Sequence, residues 1–271
     1  MSRHQGAYKP SKKHIYWELS RSKVENFRKC KACFWREKVA GIKDIGIPGF
    51  NLNTNTDTLL KRDFDRYRGK EESHPFLIHH GLSHLSPYDF PEKWTDSMHF
   101  GSAGRFHVNH EPSRIKFGGG IDDCYENTET GELHIIDYKS TANLRANPER
   151  VNLEGKWKEG YKRQMDMYVW ILEQLGYPAS KTGYFLYVDG LHVGYDRMID
   201  DDNPELATMK FQTTWLEYET DTSWVEPALM EIKDFVESQE KCPEGTEGCE
   251  TCTWFLKATH ADYHAKENRA L

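Results

Sequence analysis

Residues 131–141, GELHIIDYKST, place an aspartate and a lysine two residues apart inside an apolar run. In a β-strand, residues i and i+2 point to the same face, so Asp137 and Lys139 project together, in line with Leu133 and Ile135. Two opposite charges then share a largely buried face. Such a pair is costly to bury unless a partner, a metal or a substrate satisfies it. Whatever fold contains this strand must bring those partners to it from neighbouring elements.

The preceding stretch, RIKFGGGIDDCYEN, alternates, and a turn at Thr128–Gly131 joins it to ELHIIDYKST as a hairpin. Asp122 then sits one hairpin away from Asp137, and carboxylates at neighbouring strand positions can bind a divalent cation together. Oxygen-rich, partly hydrated sites of this kind suit Mg²⁺ or Mn²⁺. Glycines at 118–120 leave room for a backbone or a ligand to come close. Taken alone, IDD reads as readily as a turn with solvated Asp122 and Asp123. Further along, YKRQMDMYVWILEQLGY is the strongest amphipathic helix in the chain, closed by Gly176 and Pro178. Steps of about 100° per residue put Tyr161, Met165, Tyr168, Leu172 and Leu175 in one stripe, with Gln164 on its edge, one turn before Tyr168. A glutamine there needs hydrogen-bond partners, from a catalytic loop or a nucleic-acid strand; the plainer alternative is a margin of the core face.

Elsewhere, SRSKVENFRKCKACFWREKVAG reads as a helix with Val24, Phe27 and Phe34 inward and Gly41 at its end. A loop, GIKDIGIPGFNLNTNT, precedes a second helix, DTLLKRDFDRYRGK, and His74–Pro91 reads as irregular cover. KTGYFLYVDGLHVGYDRMI supplies one or two more strands and SWVEPALMEIKDFVESQE a late helix. The expected architecture is α/β, a central mixed sheet of four or five strands with helices on both sides. At 271 residues the chain can form one large domain, read as residues 15–271 after a flexible basic tail at 1–14.

The net charge of −7 argues against a polyanionic partner, but residues 1–38 carry eleven Lys/Arg against three Glu, while Asp200–Glu250 is acidic. A local basic surface matters more to phosphate binding than the total does. No run approaches the ~20 apolar residues of a membrane span and the start lacks a signal-peptide core, so a cytoplasmic protein with no membrane association is expected.

Read together, GGGIDD, IIDYKST and QMDMY resemble the PD-(D/E)XK nuclease superfamily, in particular its RecB-like branch, which includes CRISPR-associated adaptation nucleases and RecB/AddB nuclease domains. In that branch an Asp on one strand precedes an Asp-x-Lys on the next, and a Gln-x-x-x-Tyr helix follows. Asp122, Asp137, Lys139, Gln164 and Tyr168 occupy those places in order. SRSKVENFRKCKACFW is also similar to the family's N-terminal Ser-x-Ser helix with its cysteine, so the resemblance spans residues 20 to 256.

The resemblance implies a restriction-endonuclease-like core and metal-dependent hydrolysis of DNA, by an exonuclease in repair, recombination, phage or defence processes, with protein partners in such a complex. Asp122 and Asp137, with the backbone carbonyl of Tyr138, would hold Mg²⁺ or Mn²⁺, and Lys139 would orient the water or steady developing charge. Gln164 and Tyr168 would position the strand. The family usually adds an acid or a histidine from a helix before the sheet. In LLKRDFDRYR the side chains Leu59, Leu60, Phe64 and Tyr67 define one side. Asp63 lies within that arc and Asp65 opposite it, so Asp63 is preferred as the third carboxylate. Its alternative is an aspartate paired with Arg62 or Arg66 on a solvated margin. The family's common Gly-x-x-x-His pattern is missing there, which leaves His107 and His110 as further candidates.

The cysteines form a second constellation. Cys30 and Cys33 lie near the start and Cys249 and Cys252 near the end, each pair with two residues between. Two such pairs fit a tetrahedral metal site that ties the chain ends together. Relatives with an iron–sulfur cluster use one early and three late cysteines, whereas here Ala258 stands where the last is expected, with Cys33 or Cys242 as substitutes. Zinc, an iron–sulfur cluster and no metal at all stay open, and Cys124 reads as a small core residue. Two other functions compete with a nuclease. One is a non-catalytic nucleic-acid-binding or assembly protein that keeps the fold, disfavoured by the complete residue series. The other is a metal-dependent hydrolase of small phosphoesters.

Overall fold

The computed structural model describes residues 6–42, 49–70, 72–98, 101–142, 150–192 and 197–260. Its centre is β6, Leu133–Ala142, whose first six residues are all buried. A strand covered on both faces reads as a continuous apolar run rather than an alternation, which is why LHIIDY looks as it does. β5, Asp123–Asn127, pairs with β6 antiparallel, and β7, Thr182–Leu191, pairs with its other edge in parallel. The parallel step requires a crossover, supplied by the helix α5, Glu159–Gln174. β2, Leu85–Pro87, and β8, Lys210–Glu219, complete a five-stranded sheet of order β2-β5-β6-β7-β8. A second, three-stranded sheet has the order β1-β4-β3, from Trp17–Ser20, Ile115–Gly118 and His107–His110.

Parity along β6 assigns the two cores. Leu133 and Ile135 pack with Phe185 and Tyr187 of β7 against α5, α1 (Arg21–Lys29) and α6 (Val225–Ser238), and the small sheet adds Val108 and Phe117. Ile136 and Tyr138 face the other way, onto Phe64 of α3 (Asn51–Asp65) and Leu77 of α4 (Pro75–His79). Helices thus cover both faces, as expected for the restriction-endonuclease-like core.

Several elements differ from the sequence reading. The first predicted helix is two, α1 and α2 (Lys31–Lys38), because Cys30 takes an extended conformation, φ −157° and ψ 106°. α3 starts at Asn51, inside the stretch read as loop. The strand RIKFG does not run on into β5: the glycines at 118–120 carry the chain from the small sheet to the large one. α5 shows nine consecutive buried residues, Gln164–Leu172, since it lies between the large sheet on one side and α1, α6 and the small sheet on the other, while Tyr161 and Leu175 are exposed. No described helix is long and apolar enough to cross a membrane.

Candidate active site

One step beyond the Asp123–Ile136 pair of the β5–β6 ladder, Asp122 comes beside Asp137. The Tyr138 amide donates to Asp122 Oδ2 at 3.0 Å, which fixes that carboxylate on the strand edge. Asp137 is buried, and its Oδ1 accepts from Gln164 Nε2 at 2.7 Å while Lys139 Nζ forms an ion pair with its Oδ2. Tyr168, one turn after Gln164, donates from its hydroxyl to Gly120 O at 2.6 Å. A Cβ on Gly119 would stand 2.8 Å from the Tyr168 ring, so only glycine lets this turn close over the tyrosine. Asp122, Asp137, Lys139, Gln164 and Tyr168 are therefore one connected group, beside a cavity of about 370 Å³.

The two acids of IDD diverge. Asp122 faces the cavity; Asp123 is buried on the opposite side, bonded to Arg68 at 2.7 Å and accepting from Tyr138 Oη at 2.8 Å. Strand parity separates them, so neither is the solvated turn residue that the alternative reading required.

Asp63 stands outside this group. It is half-exposed, 3.2 Å from Arg66 and 3.6 Å from His74, and lines a separate groove with Arg62. Asp65 pairs with Arg68. His107 and His110 sit on β3 in the small sheet, bonded to Arg105 O and to Ser113 and Glu226. The acid that α3 brings to the cavity is Asp57. The phase of α3 explains the difference: Thr56 and Phe64 are buried, whereas Leu59, taken as an inward residue, is 62% exposed. Polar Asn53, Thr56 and Asp57 occupy the inward side of the first turns, and that hid the true helix face.

Two cations also escaped the sequence reading. Lys61 Nζ lies 3.0 Å from both Asp57 Oδ2 and Asp122 Oδ1. Arg21, the middle residue of Ser-Arg-Ser, lines the same cavity and lies beside Tyr168. The i, i+4 spacing of Asp57 and Lys61 was the available signal for the first. The Ser-x-Ser motif was the signal for the second.

Burial pushes the Asp137 carboxyl up to about 6, with Asp122 adding to the rise and Lys139 opposing it. Burial and Asp122 likewise raise Asp57. Burial works against a charged Lys139, but Asp137 and Asp122 outweigh it and hold the ammonium in its protonated form. The cavity is thus a cluster of acids that resist sharing negative charge in a confined space, offset by lysine ammoniums lodged between them.

Residues 90–254, more than half of the chain, match the PD-(D/E)XK nuclease superfamily, and the chain belongs to it. No curated protein and no solved structure matches the chain. The matched span contains Asp122, Asp137, Lys139, Gln164 and Tyr168, but neither Asp57 nor Arg21. Members of this superfamily typically use divalent metals, and the donor set fits one: carboxylate oxygens of Asp57 and Asp122 flank a position where the Lys61 ammonium stands in for a cation.

A second side-chain cluster brings Cys30, Cys33, Cys249 and Cys252 together, their sulfurs all within 4.8 Å of one another. For Cys30, burial disfavours the thiolate, but the amides of Thr246 and Cys33 and the Cys252 thiol favour it and bring the group down to about 6. Cys124 is fully buried in the core, as expected.

Proposed function

We propose that this protein is a Mg²⁺- or Mn²⁺-dependent DNA nuclease of the RecB-like kind, acting from strand ends. Asp122, Asp137 and Asp57 would hold the cation, with the carbonyl of Tyr138. The observation that carries this reading is the convergence of Asp122, Asp137, Lys139 and Gln164 beside one cavity, from the turn that opens β5, from β6 and from α5. The ordered series Asp122, Asp137-x-Lys139, Gln164-x-x-x-Tyr168 supports the RecB-like, exonucleolytic branch, with DNA repair, recombination, phage or defence processes as its setting.

A bound divalent ion supplies Lewis-acid polarisation of the phosphodiester and neutralises part of its charge. The remaining work falls to the chain. Lys139, kept charged by the neighbouring acids and 5.1 Å from the Tyr161 ring centroid, would donate to an oxygen on which charge develops. Gln164 locks the rotamer of Asp137. Tyr168 holds the Gly119–Gly120 turn and, through it, Asp122. Arg21 offers a fixed cation for a phosphate of the strand.

The test compares linear with covalently closed circular DNA, in Mg²⁺, in Mn²⁺ and in chelator. The expected result is metal-dependent shortening of linear DNA, intact circles, and a fall of at least about a hundredfold for Lys139→Ala and Asp122→Asn. Cutting that persists in chelator, or in Lys139→Ala, contradicts the proposal. DNA affinity with salt dependence but no turnover in any metal points instead to a binding module on a nuclease fold.

A further inference from the structure

The four-cysteine cluster stands apart from the acid cavity and is built symmetrically. Cys30 immediately precedes α2 and Cys33 lies in its first turn; Cys249 immediately precedes α7 (Glu250–Thr259) and Cys252 lies in its first turn. Each Cys-x-x-Cys therefore opens a helix, and the two openings face one another. Their sulfurs stand 3.4 Å apart for Cys30 and Cys252, and 3.5 Å for Cys33 with both Cys249 and Cys252. All four are free thiols.

Spacing discriminates between occupants. One tetrahedral ion with metal–sulfur bonds of about 2.3 Å sets its sulfurs about 3.8 Å apart, which falls inside the observed range. A four-iron cluster places an iron before each thiolate and a cage between the irons, and so spreads its ligands much further. The compact arrangement does not fit the cluster found in relatives of the RecB-like branch. The pattern differs as well, two early and two late cysteines rather than one and three. Cys242, the other thiol nearby, is exposed and turned toward Ala32 O at 3.8 Å, outside the group.

The surroundings suit a metal tetrathiolate, which carries net negative charge. Arg36 donates to Cys33 Sγ at 3.6 Å and to Cys252 Sγ at 3.4 Å, and the Thr246 amide donates to Cys30 Sγ at 3.5 Å. A Cβ on Gly245 would stand 2.7 Å from Cys252 Sγ, so the loop closes tightly over the sulfurs. The packing also requires something beyond apolar contact. In α7 the one buried residue is Cys252, and Trp254 and Leu256 are exposed. A ten-residue helix with so little burial is marginal in water.

We propose that Cys30, Cys33, Cys249 and Cys252 hold one zinc ion, a structural centre that fastens α7 to the α1–α2 corner. Zinc is the single ion that closed, structural tetrathiolate sites most commonly take, and its binding energy becomes folding energy for the helix it anchors. The assignment does not depend on the nuclease reading.

The test is elemental analysis of the full chain, with labile sulfide measured alongside, followed by titration with an organomercurial that reports zinc release through a zinc dye. The expected result is one zinc per chain, no sulfide, and release complete when five thiols have reacted, the four ligands and the exposed Cys242. Cys249→Ser should lose the zinc, whereas Cys242→Ser and Cys124→Ser should keep it. If Cys249→Ser fails to fold, the stoichiometry of the native chain decides. Iron in place of zinc, or a chain free of metal after expression in zinc-supplemented medium, overturns the proposal.

Discussion

The acid cavity and the cysteine cluster both gather side chains from distant parts of the sequence, yet they relate to stability in opposite ways. The cavity rests on β6 and α5, whose central residues are buried in a continuous core. Asp137 is carried into that core, where burial penalises its charge. The cysteines join a segment that has almost no apolar burial of its own, and Ala32 is the one other buried residue in their cluster. On the two proposals above, the group that strains a frame already folded serves chemistry, and the groups that close a frame otherwise open serve structure.

The contrast can be broken first at Asp137. Asp137→Asn keeps the shape and an acceptor for Gln164 but removes the charge. Cleavage is expected to fall at least about a hundredfold with the thermal midpoint unchanged or raised, read by nuclease assay and calorimetry. Cys252→Ser should do the reverse: hydrogen exchange should show α7 amides unprotected, β6 and α5 amides protected as before, and cleavage much less affected.

Two further measurements sharpen the cavity itself. Mn²⁺ affinity, followed by calorimetric titration, should fall roughly tenfold or more in Asp57→Asn and stay unchanged in Asp63→Asn. The same affinity should be level above pH about 6 and drop by up to about tenfold per unit below it, because a proton on Asp137 competes with the cation. The metal-free fold should respond with the opposite sign. With its folded value raised, Asp137 contributes stability that is fully present below its ordinary value and lost as pH rises through about 6. The smallest effect belongs to Gly119→Ala, whose Cβ meets the Tyr168 ring; a loss of about 1–3 kcal/mol is expected in chemical denaturation.

What could be read from the sequence follows the same division. Asp137 and Lys139 were legible because strand parity is exact and a charged pair in an apolar run has few explanations. Gln164 and Tyr168 followed from their four-residue spacing on a long helix and from the family resemblance, although burial on that helix does not keep to the expected stripe. Asp57 was not legible: α3 begins at Asn51, its inward side opens with polar residues, and fixing the phase on the exposed Leu59 moved the choice to Asp63. β8 went unread between the acidic loop and α6, and β1 and β3 are only four residues each. The cysteine pairs announced a metal site, but which metal depends on sulfur spacing, and that is a tertiary quantity.

The most direct test of the central claim is a crystal of the protein soaked in Mn²⁺, with data collected for anomalous scattering. The expected result is a peak bridging the carboxylates at 122 and 137, with the Lys61 ammonium displaced from between Asp57 and Asp122. A soaked crystal with no ion at those acids, or with its manganese bound only elsewhere, would contradict it.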